Sequence, residues 1–221
     1  MSPSRIKLPS QTAALAGIPA GIQAAGPWSG RRQLFVRFAG EAETATMYTS
    51  EALRSELKRL SARSRYHSIA VAGRDPLSEG EYLAAVFGDD PPLPVMLDHD
   101  GQRPEALEPL LRVLALVQIN LDGTESDPVM ERVCTSLACA AGKQVEHALV
   151  ISPALETSDA LLLRIVERAG AASRETKIVV HPTTESASDP DRRWIVWLER
   201  ASQLHGDVRV VPRLPAPTGM R

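Results

Sequence analysis

The sequence predicts an α/β fold in which short buried strands alternate with helices and form a parallel sheet. From residue 33 onward, apolar runs of four to six residues recur, and most are followed by a segment whose apolar residues have helical spacing. Parallel strands buried on both faces read as continuous apolar runs, and crossover helices connect them. An open doubly wound sheet and a partial (β/α) barrel both fit this alternation.

Seven strands and six helices are predicted along the chain. The strands are Gln33–Phe38, Ser68–Ala72, Pro94–Leu97, Leu116–Leu121, His147–Ile151, Lys177–Val180 and Val208–Val211. The helices are Glu51–Leu60, Ser78–Phe87, Pro104–Leu114, Asp127–Ala141, Ser158–Ala169 and Pro190–Leu204. Pro104 and Pro128 fall in the first turns of two helices, where a missing N–H group is tolerated, and Asp127 is expected to cap the second of these.

The N-terminal region differs in composition from the rest of the chain. Residues 1–30 are rich in Ser, Pro, Ala and Gly and are predicted to form a flexible arm, whereas residues 31–221 are expected to form a single domain. Gly17, Pro19 and Gly21 interrupt the only apolar stretch of the arm. This interruption argues against a secretory signal and favours a cytoplasmic location.

Composition excludes several classes of function. The chain has 221 residues with 25 basic and 27 acidic side chains, so its net charge of −2 offers no basic surplus for nucleic acid. No window approaches about 18 uninterrupted apolar residues, so no membrane span is predicted. The two cysteines, Cys134 and Cys139, are too few for a disulfide framework or an all-cysteine iron–sulfur site. Both are expected to be buried as small hydrophobic side chains.

Polar side chains follow most of the predicted strands. The carboxyl ends of parallel strands meet at one edge of the sheet, where such folds place their functional sites. The predicted edge carries Arg37, Glu41, Arg74, Asp75, Asp98, His99, Asp100, Asp122, Ser152, His181 and Arg213. The arginines suit a carboxylate or phosphate ligand through paired hydrogen bonds.

Within this set, an acid–base or divalent-metal site would consist of Asp98, His99, Asp100 and His181. No H-x-H or H-E-x-x-H spacing supports a metal site, and residues 98–101 are equally typical of a turn. Both interpretations remain open from the residues alone.

The segment Gln23–Gly40, which reads QAAGPWSGRRQLFVRFAG, resembles the opening of 7-carboxy-7-deazaguanine synthases, members of the radical S-adenosylmethionine superfamily. The matching positions are Gln23, Gly26, Trp28, Ser29, Gly30, Phe35, Arg37 and Gly40. Partial matches follow in the same order at residues 73–77, 98–101, 152–153 and 212–216. The resemblance implies a radical-SAM-like α/β fold, a partial (β/α)6 barrel of parallel strands, and a homodimer.

The chain departs from that family where the family binds its iron–sulfur cluster. After the residue matched by Gly40, the family has a C-x-x-x-C-x-x-C motif, whose three thiolates hold the cluster. The matching positions here are Glu41, Ala45 and Tyr48. No cluster is therefore expected. Arg74 also replaces a glycine of the family and would crowd the amino end of S-adenosylmethionine, so binding of that cofactor is not expected either.

The substrate half of the family site is partly kept. The candidate ligand-binding residues are Gln23, Arg37, Ser50, Arg74, Asp75, Ser152 and Arg213. They predict a pseudoenzyme that binds a small anionic or pterin- or purine-like ligand, or a protein partner. The alternative is an enzyme of another class, a metal-dependent or acid–base lyase or hydrolase that reuses the pocket. Trp194 and Trp197 share one helix face, which either packs in the core or forms a partner surface.

Overall fold

The computed structural model describes residues 11–88, 90–183 and 192–212, and within these ranges ten strands pair into one sheet. The strands are β1 Thr12–Gly17, β2 Ala20–Ile22, β3 Arg32–Phe38, β4 Thr46–Thr49, β5 Ser68–Gly73, β6 Val95–His99, β7 Leu116–Leu121, β8 Glu146–Ile151, β9 Lys177–Val180 and β10 Val208–Val210. The helices are α1 Ser50–Arg63, α2 Gly80–Phe87, α3 Pro104–Leu107, α4 Asp127–Gly142, α5 Asp159–Ala172 and α6 Arg193–Leu204. Short 3-10 helices cover Pro76–Glu79 and Glu108–Val113.

The parallel part of the sheet is ordered as the chain runs. β3 pairs with β5, and each strand from β5 to β10 then pairs in parallel with the next. An open doubly wound sheet reverses its strand order at a switch point, and the described strands contain no such reversal. The predicted α/β fold with a mostly parallel sheet is confirmed, and the doubly wound alternative does not fit the order.

The helices pack on one face of the sheet. Successive side chains of a strand point to opposite faces, and in β5 Ile69 and Val71 enter the large apolar core while Ala70 belongs to a separate small cluster. The buried side chains of the longer helices, such as Leu53 of α1 and Leu137 of α4, join the large core. The second face of the sheet is therefore not covered by these helices.

Residues 23–31 cover the centre of that second face. Trp28 packs against the small cluster formed by Ala70, Met96, Leu116 and Ala148. The segment closes on itself, because Gln23 N donates to Arg31 O at 2.9 Å and Gly30 N donates to Gln23 O at 2.9 Å. We call residues 23–31 the covering segment.

Residues 12–22 differ from the predicted flexible arm. They form β1 and β2, which pair antiparallel with β3, and β1 also pairs with β4. Leu15 of β1 is fully buried. The local pattern hides these strands because Gly17 and Pro19 interrupt them and their partner lies about twenty residues away; β4 was missed for the same non-local reason. Residues 1–10 lie outside the described residues.

Two helix predictions also differ in detail. The helix predicted at Pro104–Leu114 splits into α3 and a 3-10 helix. Pro109 explains the split, since it lacks a donor and its ring opposes the preceding helical turn. The N-cap of α4 is Ser126 and not Asp127, whose carboxylate instead pairs with Arg168 at 2.8 Å.

Trp194 and Trp197 pack in the core, with ring centroids 5.9 Å apart in an edge-to-face arrangement. Cys134 and Cys139 are half-buried, and burial raises the pKa of the Cys134 thiol. No helix within the described ranges has the length and apolar character needed to cross a membrane.

Candidate functional site

A polar cleft runs along the edge where β5, β6, β7 and β8 end. Its smaller part encloses about 260 Å³ and includes Asp75, Asp98 and His99. Its larger part encloses about 520 Å³ and includes Asp122, Thr124, Glu125 and Ser152. Asp100 and Asn120 line both parts, so the two parts adjoin. We call it the rim cleft.

Two glycines fix the turns that lead into the rim cleft. Gly73, at the end of β5, has φ +105°, and a Cβ there would lie 2.3 Å from the carbonyl oxygen of Phe38. Gly101, after β6, has φ +75°, and a Cβ would lie 2.8 Å from Ile119. Only glycine fits either position, because positive φ and the close approach both exclude a side chain. These turns hold Asp75 and residues 98–100 at the cleft.

Carboxylates dominate the charge of the rim cleft. Among the described lining residues are the carboxylates Asp75, Asp98, Asp100, Asp122 and Glu125, and no lysine or arginine. The amide of Asn120 donates a hydrogen bond to Asp98 Oδ1. Asp75 is paired with Arg103 at 2.7 Å at the margin of the cleft. Ionised carboxylates only accept hydrogen bonds, so the surface suits a ligand that donates them.

Asp122 and Glu125 lie in one loop but in different electrostatic environments. Thr124 donates hydrogen bonds to the Asp122 carboxylate from its hydroxyl at 2.5 Å and its backbone N–H at 2.8 Å, which lowers the pKa of Asp122. Burial raises the pKa of Glu125, although the backbone N–H of Asp122 donates to its carboxylate at 2.7 Å. Neighbouring carboxyls whose pKa values move apart are suited to separate acid and base roles.

His181 and His99 are buried and hydrogen-bonded within the protein. His181 Nε2 accepts from Gly26 N at 3.0 Å, and His181 Nδ1 donates to Val211 O at 2.7 Å. His99 Nδ1 accepts from Gly101 N at 3.1 Å, and burial lowers the pKa of His99 to about 4, so this ring is neutral at pH 7.

Both ring nitrogens of His181 are therefore used in contacts that a metal ligand or an acid–base group would have to give up, whereas His99 Nε2 is buried without a hydrogen-bond partner among the described residues. The described residues contain no group of three His, Cys, Asp or Glu side chains that could hold a metal ion. The set predicted from Asp98, His99, Asp100 and His181 is not assembled as a metal centre in this geometry.

The arginines predicted to bind an anion form ion pairs. Arg37 pairs with Glu43 at 3.1 Å, and Arg74 pairs with Glu41 at 2.6 Å. Both pairs are largely exposed, so each contributes at most about 1 kcal/mol. Neither arginine lines the rim cleft. Arg213 lies outside the described residues.

The other predicted ligand-binding residues are separated. Ser152 lines the rim cleft at the end of β8. Gln23 is buried in the covering segment, where its side-chain amide donates to Ala25 O at 3.0 Å. Ser50 is buried at the start of α1, and its backbone N–H donates to Gln11 O at 2.9 Å.

The three positions that match the cluster cysteines do not fit an iron–sulfur cluster. Glu41 is exposed and paired with Arg74, and Ala45 has no ligand atom. Tyr48 lies on β4, opposite Ala13 of β1, and packs against the core. Thiolates are the usual ligands of such clusters, and none stands here.

Four polar residues that line the rim cleft are not among those predicted from the sequence: Gln102, Asn120, Thr124 and Glu125. Asn120 lies inside β7, and only the pairing of the strands shows that its side chain reaches Asp98. Thr124 and Glu125 follow Asp122 in a polar loop, and their proximity to Asp122 was the one local signal that could have found them.

No family model matches the chain, and no curated protein matches it.

Proposed function

We propose that the chain is a radical-SAM-like protein, related to 7-carboxy-7-deazaguanine synthases, that binds a small molecule in the rim cleft without an iron–sulfur cluster. The observation that carries the proposal is the position of this cleft at the carboxyl edge of β5–β8. Sequential parallel strands with helices on one face fit a partial (β/α)6 barrel, and barrel proteins bind ligands at this edge. The homodimer and the cytoplasmic location stay predictions.

The charge of the cleft selects between the predicted ligand classes. An anion would meet the carboxylates of Asp98, Asp100 and Asp122, and like charges at close range repel. A neutral pterin or purine presents adjacent N–H and NH2 donors, and one carboxylate accepts two such hydrogen bonds side by side. The ligand proposed is therefore a neutral, donor-rich bicyclic heterocycle and not an anion. The larger part of the cleft, about 520 Å³, lies within the usual size of ligand pockets.

Calorimetric titration with pterin and with 7-deazaguanine, each compared with its carboxylate derivative, tests this function. We expect the neutral compounds to bind and the carboxylates to bind at least about tenfold more weakly, because the added negative charge is repelled by the carboxylates of the cleft. Asp98→Asn should weaken binding of the neutral compounds by about tenfold or more. Asp207→Asn is the matched control, because Asp207 pairs with Arg209 beside β10 and lines neither part of the cleft. Equal affinity of Asp98→Asn and the wild type would contradict the proposal, and tighter binding of the carboxylates would contradict the neutral ligand.

An acid–base enzyme that uses the same cleft is the second candidate, favoured by the opposite pKa shifts of Asp122 and Glu125. Its acid would be Glu125 and its base Asp122, rather than the histidines expected from the sequence. Once a ligand is found, Glu125→Gln separates the two functions. If the chain is a binding protein, the ligand should stay chemically unchanged with both the wild type and Glu125→Gln. If it is an enzyme, the wild type should convert the ligand and Glu125→Gln should not.

A further inference from the structure

A second cavity lies between the start of β1 and the first turn of α2. It encloses about 280 Å³ and is lined by Gln11, Thr12, Ser78, Glu79, Glu81 and Tyr82. None of these residues lines the rim cleft. The function proposed above therefore uses none of the lining residues of this cavity.

Two polar atoms of this cavity are buried and unpaired. Tyr82 is 2% exposed, its ring packs edge-on against Phe38, and its hydroxyl has no hydrogen-bond partner. The side-chain amide of Gln11 donates to Glu81 Oε2 at 3.0 Å, while its carbonyl oxygen is buried without a partner. Buried polar groups nearly always form hydrogen bonds, so two buried acceptors without partners in one cavity indicate a binding site for a ligand that donates hydrogen bonds.

The electrostatic surroundings of these atoms are negative. Burial and the nearby groups Glu79, Tyr48 and Glu51 raise the pKa of the Tyr82 hydroxyl above its usual range. Among the ion pairs of the described residues, none involves Glu51, Glu79 or Glu81. The carboxylates of the cavity thus lack a described counter-ion, which favours a cationic guest.

The volume of the cavity and the kinds of side chain that line it indicate which class of cation it can bind. A cavity of about 280 Å³ is several times larger than the roughly 30 Å³ of a water molecule, so a bare ion would not fill it. The described residues also place no three metal-ligating side chains together. A primary ammonium group carries three N–H donors and needs three acceptors.

We propose that this cavity binds a small primary alkylammonium ligand, whose N–H groups donate to Gln11 Oε1, to the Tyr82 hydroxyl oxygen and to the Glu79 carboxylate. The alkyl part occupies the remaining volume. The assignment rests on the two acceptors that lack a hydrogen-bond partner, together with the Glu79 carboxylate, which forms no ion pair among the described residues.

The test is a titration of the full ¹⁵N-labelled chain with n-butylammonium, followed by NMR at constant ionic strength. Saturable shifts are expected at the Gln11 side-chain amide and at the backbone amides of Glu81 and Tyr82. Tetramethylammonium is the control ligand, since it carries the same charge without an N–H donor. The same shifts with tetramethylammonium would overturn the proposal, and no saturable shift would mean that ordered water alone completes the cavity, which also overturns it.

Tyr82→Phe removes the orphaned hydroxyl and keeps the ring. The variant should fold as stably as the wild type, because no hydrogen bond of the described protein is lost, and it should bind n-butylammonium about fivefold more weakly. Glu79→Gln should weaken binding by about tenfold. Tyr66→Phe is the matched control, since Tyr66 packs under Arg32 and does not line the cavity. Unchanged affinity in Tyr82→Phe would refute the assignment even if the wild type binds the amine.

Discussion

Substitution of Gly26 by alanine tests whether the covering segment is fixed against the sheet. Gly26 has φ +81°, and a Cβ there would lie 1.9 Å from Gln118 Oε1 and 3.1 Å from Val150 Cγ2. Gln118 is buried, so its side chain has little room to move away. The backbone N–H of Gly26 also donates to His181, which limits movement of the segment itself.

The expected loss of stability has two parts. A non-glycine residue in the left-handed region costs about 1–2 kcal/mol. Forcing an extra methyl group into a packed site costs about 1–3 kcal/mol more. Gly26→Ala should therefore lower the free energy of unfolding by about 2–5 kcal/mol.

Gly30→Ala is the matched control for this substitution. Gly30 has φ +82°, but nothing lies within 4 Å of its Cβ position, so only the backbone part should be lost. Urea unfolding of the wild type and both variants measures the difference directly. If Gly26→Ala proved no less stable than Gly30→Ala, the covering segment would not be packed against β7 and β8 as described.

Three further predictions concern single side chains. The pKa of His99 is near 6.5 in the unfolded state and near 4 in the folded state, so the unfolded state binds the proton more readily. The free energy of unfolding should therefore fall by about 3 kcal/mol as the pH drops from about 6.5 to about 4. Urea unfolding of His99→Asn should show a smaller fall over the same pH range. Trp197→Ala should cost about 3–5 kcal/mol because Trp197 is fully buried, whereas Ile195→Ala on the exposed face of α6 should cost less than about 0.5 kcal/mol; similar losses in thermal unfolding would contradict the assigned helix face. Because burial raises its pKa, Cys134 should react with iodoacetamide at pH 7 more slowly than an unstructured cysteine peptide, as mass spectrometry of the alkylated protein would measure; an equal rate would mean that the thiol is exposed.

The parallel core of the fold could be predicted from local patterns, whereas its antiparallel additions could not. Runs such as Leu116–Leu121 are continuous and apolar, and β7 has these bounds. β1 has as many residues as β7, but Gly17 and Pro19 follow its apolar run, whereas β4 has only four residues and no such run; the pairing partners of both strands are distant in the chain. The period of a sequence reports which face is buried but not which strand lies beside it.

The position of the candidate site was predicted better than its chemistry. Asp98, Asp100 and Ser152 do line the rim cleft, because strand ends meet at one edge. The predicted roles of His181 and Arg37 depended on where their side chains point. The His181 side chain is oriented by its hydrogen bond to Gly26 of the covering segment, and the Arg37 side chain by its ion pair with Glu43. Neither contact can be predicted from the local sequence.

The most direct test of the central claim is the iron and acid-labile sulfide content of the chain after anaerobic reconstitution with iron, sulfide and S-adenosylmethionine. We expect a colourless protein without stoichiometric iron that still binds the neutral heterocycle, because the positions that match the thiolates of the similar family are Glu41, Ala45 and Tyr48. A brown protein with a stoichiometric cluster, or cleavage of S-adenosylmethionine by the reconstituted chain, would contradict the account.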